Sequence, residues 1–348
     1  LAAAACAAAA AALLPRLRLQ GAPPPLDIPW LTTYTIRRTL PHDEGAFTQG
    51  LCIDEDGHMW ESVGMYGRSK VFRVDAFDSP AEGERAEAGA RASREGESYT
   101  LPAQLFGEGL ACLPGRRLLQ LTWREGVAVE YKTRPRVRPR RTFSLPARAG
   151  APFTELWGAA YDPRSQLLVA SDGSADLALY EPGDMRLVRT VRVTDPALGR
   201  AVDGLNELEM VEGELWANLY PMYRQRASPC VVRVDLGTGA VKGWVYLGGL
   251  AALERDHVRD NPMHFVLNGI AYNGSAAGPD SGRARSAADL GSLFVTGKEW
   301  GHMHEVGIVA GAEAFAANGG EAWKAAVREG EDPQALGAER VHALCDLI

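Results

Sequence analysis

From Thr32 onward the apolar residues come in short runs with a period of two, broken at close intervals by Gly, Pro, Asp and Asn. That alternation predicts strands separated by tight turns; amphipathic periodicity of helical spacing appears only beyond residue 310. Five segments share one pattern: Gln49-Gly50-Leu51-Cys52-Ile53, Glu108-Gly109-Leu110-Ala111-Cys112, Trp157-Gly158-Ala159-Ala160-Tyr161, Asn206-Glu207-Leu208-Glu209-Met210 and Asn268-Gly269-Ile270-Ala271-Tyr272, starting 59, 49, 49 and 62 residues apart. Each leads through a turn into a second strand, beginning at Met59, Leu118, Leu168, Leu215 and Leu293. Further strands follow, such as Val71-Phe72-Arg73-Val74 and Val231-Val232-Arg233-Val234.

A repeat near 50 residues with about four strands per unit is the signature of a β-propeller. The chain therefore reads as all-β, a five-bladed β-propeller over residues 31–310 with a short helical C-terminal tail over 311–348. Thr33 to Arg37 alternates like a strand and precedes the first repeat, so it is expected to complete the ring by pairing near the far end of the chain. Residues 1–30 differ: an Ala-rich apolar run over 1–14, then Arg16, Arg18 and Pro23-Pro24-Pro25. The run is short of the ~20 residues of a membrane span and reads as a targeting segment or anchor followed by a linker.

The apolar and charged fractions, 46% and 23%, are those of an ordinary globular chain and exclude disordered, collagen-like and multispan classes. Glycine is in excess, 38 of 348 residues, as a fold rich in turns requires. A net charge of −7 offers no field for a phosphate backbone, so nucleic acid is not an expected partner. The five cysteines (Cys6, Cys52, Cys112, Cys230, Cys345) form no CxxC pair and leave at least one thiol free. Cys52 and Cys112 lie in apolar runs and read as small buried hydrophobes. His302-x-His304 lacks a third ligand at a familiar spacing, and no metal site is expected.

In a propeller the first strand of each blade lines the channel and the second runs antiparallel to it. Gln49, Glu108, Trp157, Asn206 and Asn268 then share one mouth with Trp123, Tyr220 and Lys298. Amides, a carboxylate, an ammonium and aromatics converging there describe a small-molecule pocket. Glu61, a charge in mid-strand, is a second candidate acid. Glu207 and Glu209 alternate with Leu208 and are expected to bond neighbouring blades.

Pro41-His42-Asp43, Ala46-Phe47-Thr48-Gln49-Gly50-Leu51, Glu61-Ser62-x-Gly64-x-Tyr66-Gly67-x-Ser69, Phe106-Gly107-Glu108-Gly109-Leu110, Leu205-Asn206-Glu207-Leu208-Glu209, Trp216-Ala217-Asn218, Leu267-Asn268-Gly269-Ile270-Ala271 and Phe294-Val295-Thr296-Gly297-Lys298-x-Trp300 together resemble the plant and bacterial glutaminyl cyclases. The resemblance spans Tyr34 to Val306 and implies a five-bladed propeller that cyclises N-terminal glutamine of peptides or proteins to pyroglutamate without a cofactor or metal. It carries Phe47, Gln49, Glu108, Trp123, Trp157, Asn206 and Lys298 onto the family's pocket. With that reaction, Glu108 is expected as base, Lys298, Asn206 and Gln49 as catalytic donors, and Phe47, Glu61, Trp123, Trp157, Tyr220 and Asn268 as substrate-binding residues. Two departures fall on the substrate wall: Leu156 stands in Glu155-Leu156-Trp157-Gly158 where the family has glycine, and Tyr220 where it has tryptophan. A lectin-like or peptide-binding propeller is one alternative, a five-bladed glycosidase using Glu61 and Glu108 another. A monomer is expected, in the secretory pathway, endomembranes or outside the cell, with the N-terminal apolar segment as a possible membrane anchor and plastid targeting as the other destination.

Overall fold

The computed structural model describes residues 26–74, 97–145, 155–220, 228–254, 265–274, 285–318 and 331–345. The expected targeting segment lies outside them up to residue 25, as does Cys6.

Strands dominate. After β1 (Leu26–Asp27) and β2 (Leu31–Pro41), the strands β3 (Thr48–Ile53), β4 (Met59–Val63), β5 (Lys70–Val74) and β6 (Ser98–Thr100) form an antiparallel sheet in chain order. So do β7 (Gly107–Leu113), β8 (Arg117–Thr122), β9 (Val127–Lys132) and β10 (Arg138–Ser144), and then β11 (Ala159–Asp162), β12 (Leu167–Ala170), β13 (Asp176–Glu181) and β14 (Arg186–Arg192). A ribbon, β15 (Thr194–Asp195) with β16 (Arg200–Ala201), leads to β17 (Leu205–Val211), β18 (Glu214–Leu219), β19 (Cys230–Val234) and β20 (Val241–Tyr246), again paired in order. The last group is β21 (Leu267–Asn273), β22 (Arg285–Ser286), β23 (Ser292–Gly297) and β24 (His302–Val309), in which β22 pairs with β1. Strand β2 completes it, antiparallel to β24 with Thr33 opposite Val309, and Leu31 and Thr32 also pair in parallel with Trp244 and Val245 of β20. Eight strands thereby form one sheet.

The first strands touch in closed order, β3 to β7, β11, β17, β21 and back to β3. Cores lie between successive sheets: Trp60 and Val71 pack with Leu118 and Tyr131, Leu119 and Leu121 with Leu168 and Tyr180, Val169 and Leu177 with Leu208 and Val232. Another joins Leu51 and Met59 to Ala271 and Phe294. The inner strands are buried on both faces, their polar members Gln49, Glu61, Glu108 and Glu207 included.

Small residues let these strands approach. A Cβ on Gly50 would lie 2.5 Å from the backbone nitrogen of Leu110, and one on Gly158 1.9 Å from the carbonyl oxygen of Asn206. At the matching place in β17 stands Glu207, whose carboxylate accepts the N–H groups of Leu51 (3.2 Å) and Ile270 (3.0 Å), tying two other first strands together. Burial and the neighbouring Glu209 charge hold its pKa well above the usual carboxylate range. Glu209 accepts the N–H of Tyr272 at 2.8 Å, and burial pushes its carboxyl up to about 8.

One expectation changes. Cys52 and Cys112 are a disulfide, Cα to Cα 5.7 Å, because adjacent first strands bring them together; a strand pattern shows burial but not which strand lies alongside. The tail is helical in its described parts and packs on the sheets. Its helices Ala312–Asn318 and Ala338–Leu344 bury Phe315, Val341 and Leu344 in one cluster with Leu31, Val232 and Trp244. His342 Nε2 meets Asp195 Oδ2 at 2.7 Å, and Cys345 is bonded to Cys230. Removing that bond in Cys230→Ser/Cys345→Ser is expected to cost about 2–4 kcal/mol in a urea unfolding curve; an unchanged midpoint and slope would show that packing alone holds the tail.

Candidate active site

Antiparallel pairing sets the start of each first strand beside the end of its second: Thr48 faces Val63, Gly107 faces Thr122, Leu205 faces Leu219 and Leu267 faces Gly297. Gln49, Glu108, Trp157, Asn206, Asn268, Tyr220 and Lys298 are all buried in this region, and Trp123 is half-buried. Asn268 Nδ2 donates to the Thr48 carbonyl (2.9 Å) and to Gln49 Oε1 (3.1 Å). Gln49 Nε2 in turn donates to Glu108 Oε1 at 3.0 Å. The relay fixes the Gln49 amide with its NH₂ toward the carboxylate and leaves that carboxylate an oxygen for another partner. Lys298 Nζ sits 4.6 Å above the Phe47 ring. The side chain of Asn206 makes no hydrogen bond among the described residues, and its Oδ1 is sealed from solvent.

Burial raises the pKa of Glu108 well above the carboxylate range; Lys298 opposes this, while Glu155 and Glu125 add to it. Burial likewise lowers the Lys298 ammonium, with Glu108 pulling it back up. Among the described residues the two make no direct ion pair, so each remains available to a third group. A carboxylate made basic by desolvation and an ammonium made acidic by it are the tuning that proton transfer near neutral pH requires.

Aromatic rings wall the site. Phe106 lies edge-on to Phe47 (6.3 Å between centroids) and 5.4 Å from Trp123, and Trp157 lies edge-on to Tyr220 at 6.2 Å. Glu155 links the two groups: its Oε2 accepts the Trp157 indole N–H (3.0 Å), and its Oε1 accepts from Arg124 (3.0 Å), whose guanidinium covers Trp123 at 3.8 Å. The Trp157 carbonyl accepts the Gly109 N–H at 2.7 Å, anchoring this wall to the strand that carries Glu108.

Glu61 is placed differently from the other candidates. Thr48 Oγ1 donates to its Oε1 at 2.7 Å and His42 Nε2 lies 3.1 Å away, while His42 Nδ1 meets the Trp300 carbonyl at 2.8 Å. Burial works against a charged His42, but the charge and hydrogen bond of Glu61 outweigh it, and the pKa is raised. Glu61 thus braces Thr48, the neighbour of Gln49. His302 and His304 both meet the buried Glu254 carboxylate, at 3.1 and 3.2 Å. Phe106 and Glu155 stand in the sequence motifs without an expected role, and Arg124 in none of them; an aromatic two residues before Glu108 and an acid two before Trp157 are their sequence signals.

Glu108 and Asn206 from first strands and Lys298 from the end of a second strand are buried among aromatic rings, an arrangement suited to enzymes that move protons on a small polar group. The sequence model of the glutamine cyclotransferase family matches residues 6–308, and the chain belongs to that family. It is 32% identical over 275 residues to a glutaminyl-peptide cyclotransferase of Arabidopsis thaliana, covering 77% of this chain and 68% of that protein. The crystal structure of Myxococcus xanthus glutaminyl cyclase superposes with a TM-score of 0.61 at 30% identity, covering 80% of this chain and 98% of that one.

Proposed function

We propose that the protein is a glutaminyl-peptide cyclotransferase, and that its sheets are the five blades of a propeller with the pocket at one mouth of the channel. Three four-stranded sheets, an eight-stranded sheet divisible into two sets of four, and the closed order of first strands support the propeller reading. The observation that carries the activity is the buried Glu108, raised in pKa and held by Gln49, facing a pocket that also contains Lys298 and the unpartnered Asn206.

The reaction joins the α-nitrogen of an N-terminal glutamine to its own side-chain amide carbon and breaks the bond from that carbon to the amide nitrogen. The neutral amine attacks, Glu108 takes one proton from the attacking nitrogen, and that proton passes to the leaving nitrogen, which departs as ammonia. One hydrogen stays on the ring nitrogen, so the step balances. An α-ammonium of pKa roughly 7.7–8.0 and a carboxyl lifted by burial exchange a proton with little cost. Lys298 and the Gln49 and Asn206 amides are the donors for the oxyanion, and the Trp123, Trp157 and Phe47 rings hold the glutamine curled and exclude water. Lys298→Met is expected to lower kcat about 100-fold with a smaller change in KM; a KM effect alone would assign Lys298 to binding.

The glycosidase alternative needs two free carboxylates flanking one bond. Glu61 has both oxygens engaged by Thr48 and His42, which disfavours it as the partner of Glu108. The two disulfides support an oxidising compartment and with it the secretory route. The test is to incubate the purified chain with a Gln-initiated peptide and measure ammonia together with the mass of the product. Ammonia with a pyroglutamyl product supports the assignment; an unchanged peptide overturns it.

A further inference from the structure

Beside the aromatic wall of Phe47, Phe106 and Trp123 stands Tyr66. Among the described residues it is the only aromatic among the exposed large hydrophobics, 50% accessible. Its ring lies edge-on to Phe106 at 5.3 Å, which links it to Phe47 and Trp123, and its hydroxyl donates to Glu125 Oε1 at 2.9 Å. Both groups stand close enough to Glu108 for charge to be felt. The other oxygen of Glu125 is shielded from solvent and meets no partner among the described residues.

The loop that presents Tyr66 is built to do so. Met65 has φ +108°, a conformation that a side-chain-bearing residue rarely adopts. Its carbonyl accepts the Arg68 N–H and the Ser69 hydroxyl, both at 2.9 Å, and Ser69 Oγ accepts the N–H of Gly107, next to Glu108. Gly64, at the start of the loop, leaves room for Phe106: a Cβ there would lie 2.2 Å from its ring. An exposed aromatic ring carried next to a residue of rare backbone conformation and packed edge-on to the aromatic wall suits a ligand contact better than a packing residue.

We infer that Tyr66 is a specificity-determining residue: its exposed ring packs against the side chain that follows glutamine in the substrate. The inference rests on the cyclotransferase reading. Peptides with an aromatic or large apolar second residue are therefore favoured over those with glycine.

The experiment compares steady-state cyclisation of Gln-Phe-amide, Gln-Gly-amide and glutamine amide by the wild type, Tyr66→Ala and Tyr66→Phe. Expected is a KM for Gln-Phe-amide about tenfold higher in Tyr66→Ala, with kcat and the KM for glutamine amide unchanged. Tyr66→Phe keeps the ring and most of the preference. A loss of equal size on all three substrates would assign Tyr66 a structural role, and no loss on any would remove it from recognition; either result overturns the inference while the activity stands. If the wild type releases ammonia from none of the three, the underlying reading fails and this one with it.

Discussion

Glu108→Gln lowers kcat about a thousandfold and leaves the protein folded. Glutamine keeps the shape and can still accept the N–H that Gln49 donates at 3.0 Å, but it cannot take a proton. The pH profile gives a second readout. Burial raises the pKa of Glu108, so its base form is populated only as pH rises beyond the ordinary carboxylate range, and wild-type kcat/KM climbs through that elevated value. In the variant this inflection disappears and the residual reaction follows the substrate amine alone. Stability moves the other way. A carboxyl raised on folding contributes stability below its unfolded pKa and loses it as pH rises through its folded one, whereas glutamine loses nothing; Glu108→Gln should therefore be at least as stable as wild type above neutral pH. Near-normal turnover in the variant would remove Glu108 from the chemistry.

Among the described glycines, Gly158→Ala is expected to be the most damaging, costing about 3 kcal/mol or more in chemical denaturation. Its Cβ would fall 1.9 Å from the Asn206 carbonyl oxygen, 2.8 Å from that carbonyl carbon and 2.9 Å from the Glu207 Cα, all backbone atoms with no rotamer to yield. Ser171 sits at the same junction, accepting the Gly158 N–H at 2.8 Å and donating to the Asn206 carbonyl at 2.6 Å. Strands β11 and β17 must separate there, which loosens this bridge and displaces Asn206 from the pocket. Gly311→Ala is the control: a Cβ there meets nothing within 4 Å, and stability should stay within about 0.5 kcal/mol of wild type. A soluble, equally stable Gly158→Ala would mean that the strands have slack the close approach denies.

Much of this was legible because period-two alternation and turn residues report local geometry. All five repeated segments enter first strands in mutual contact, and Thr33 to Arg37 lies within β2 against the chain's distant end. Gln49, Glu108, Asn268 and Lys298 could be gathered because antiparallel pairing converts repeat position into position around the mouth. What stayed hidden depends on contacts between strands. Cys52 and Cys112 look like any apolar residues until β3 is laid beside β7, and nothing local in Glu61 reveals that Thr48 and His42 occupy its oxygens. Glu155 acts through a bridge from Trp157 to Arg124, partners on separate sides of its own position, and so left no periodic trace.

The pairing of β2 with β24 has a consequence for synthesis. Thr33 emerges from the ribosome early and Val309 late, so at about 5–20 residues per second on the order of tens of seconds separate the two partners. Until Trp244 and Val245 are out, an eleven-residue strand with Leu31 and Tyr34 destined for the interior has neither neighbour to pair with, and its long pairing with β24 waits for Val309. The nascent chain can assemble its middle sheets during translation but closes only after the last strand is out. Holding β2 away from other nascent chains in that window is a task for a chaperone, and yield on overexpression should depend more on chaperone supply than on the stability of the finished fold.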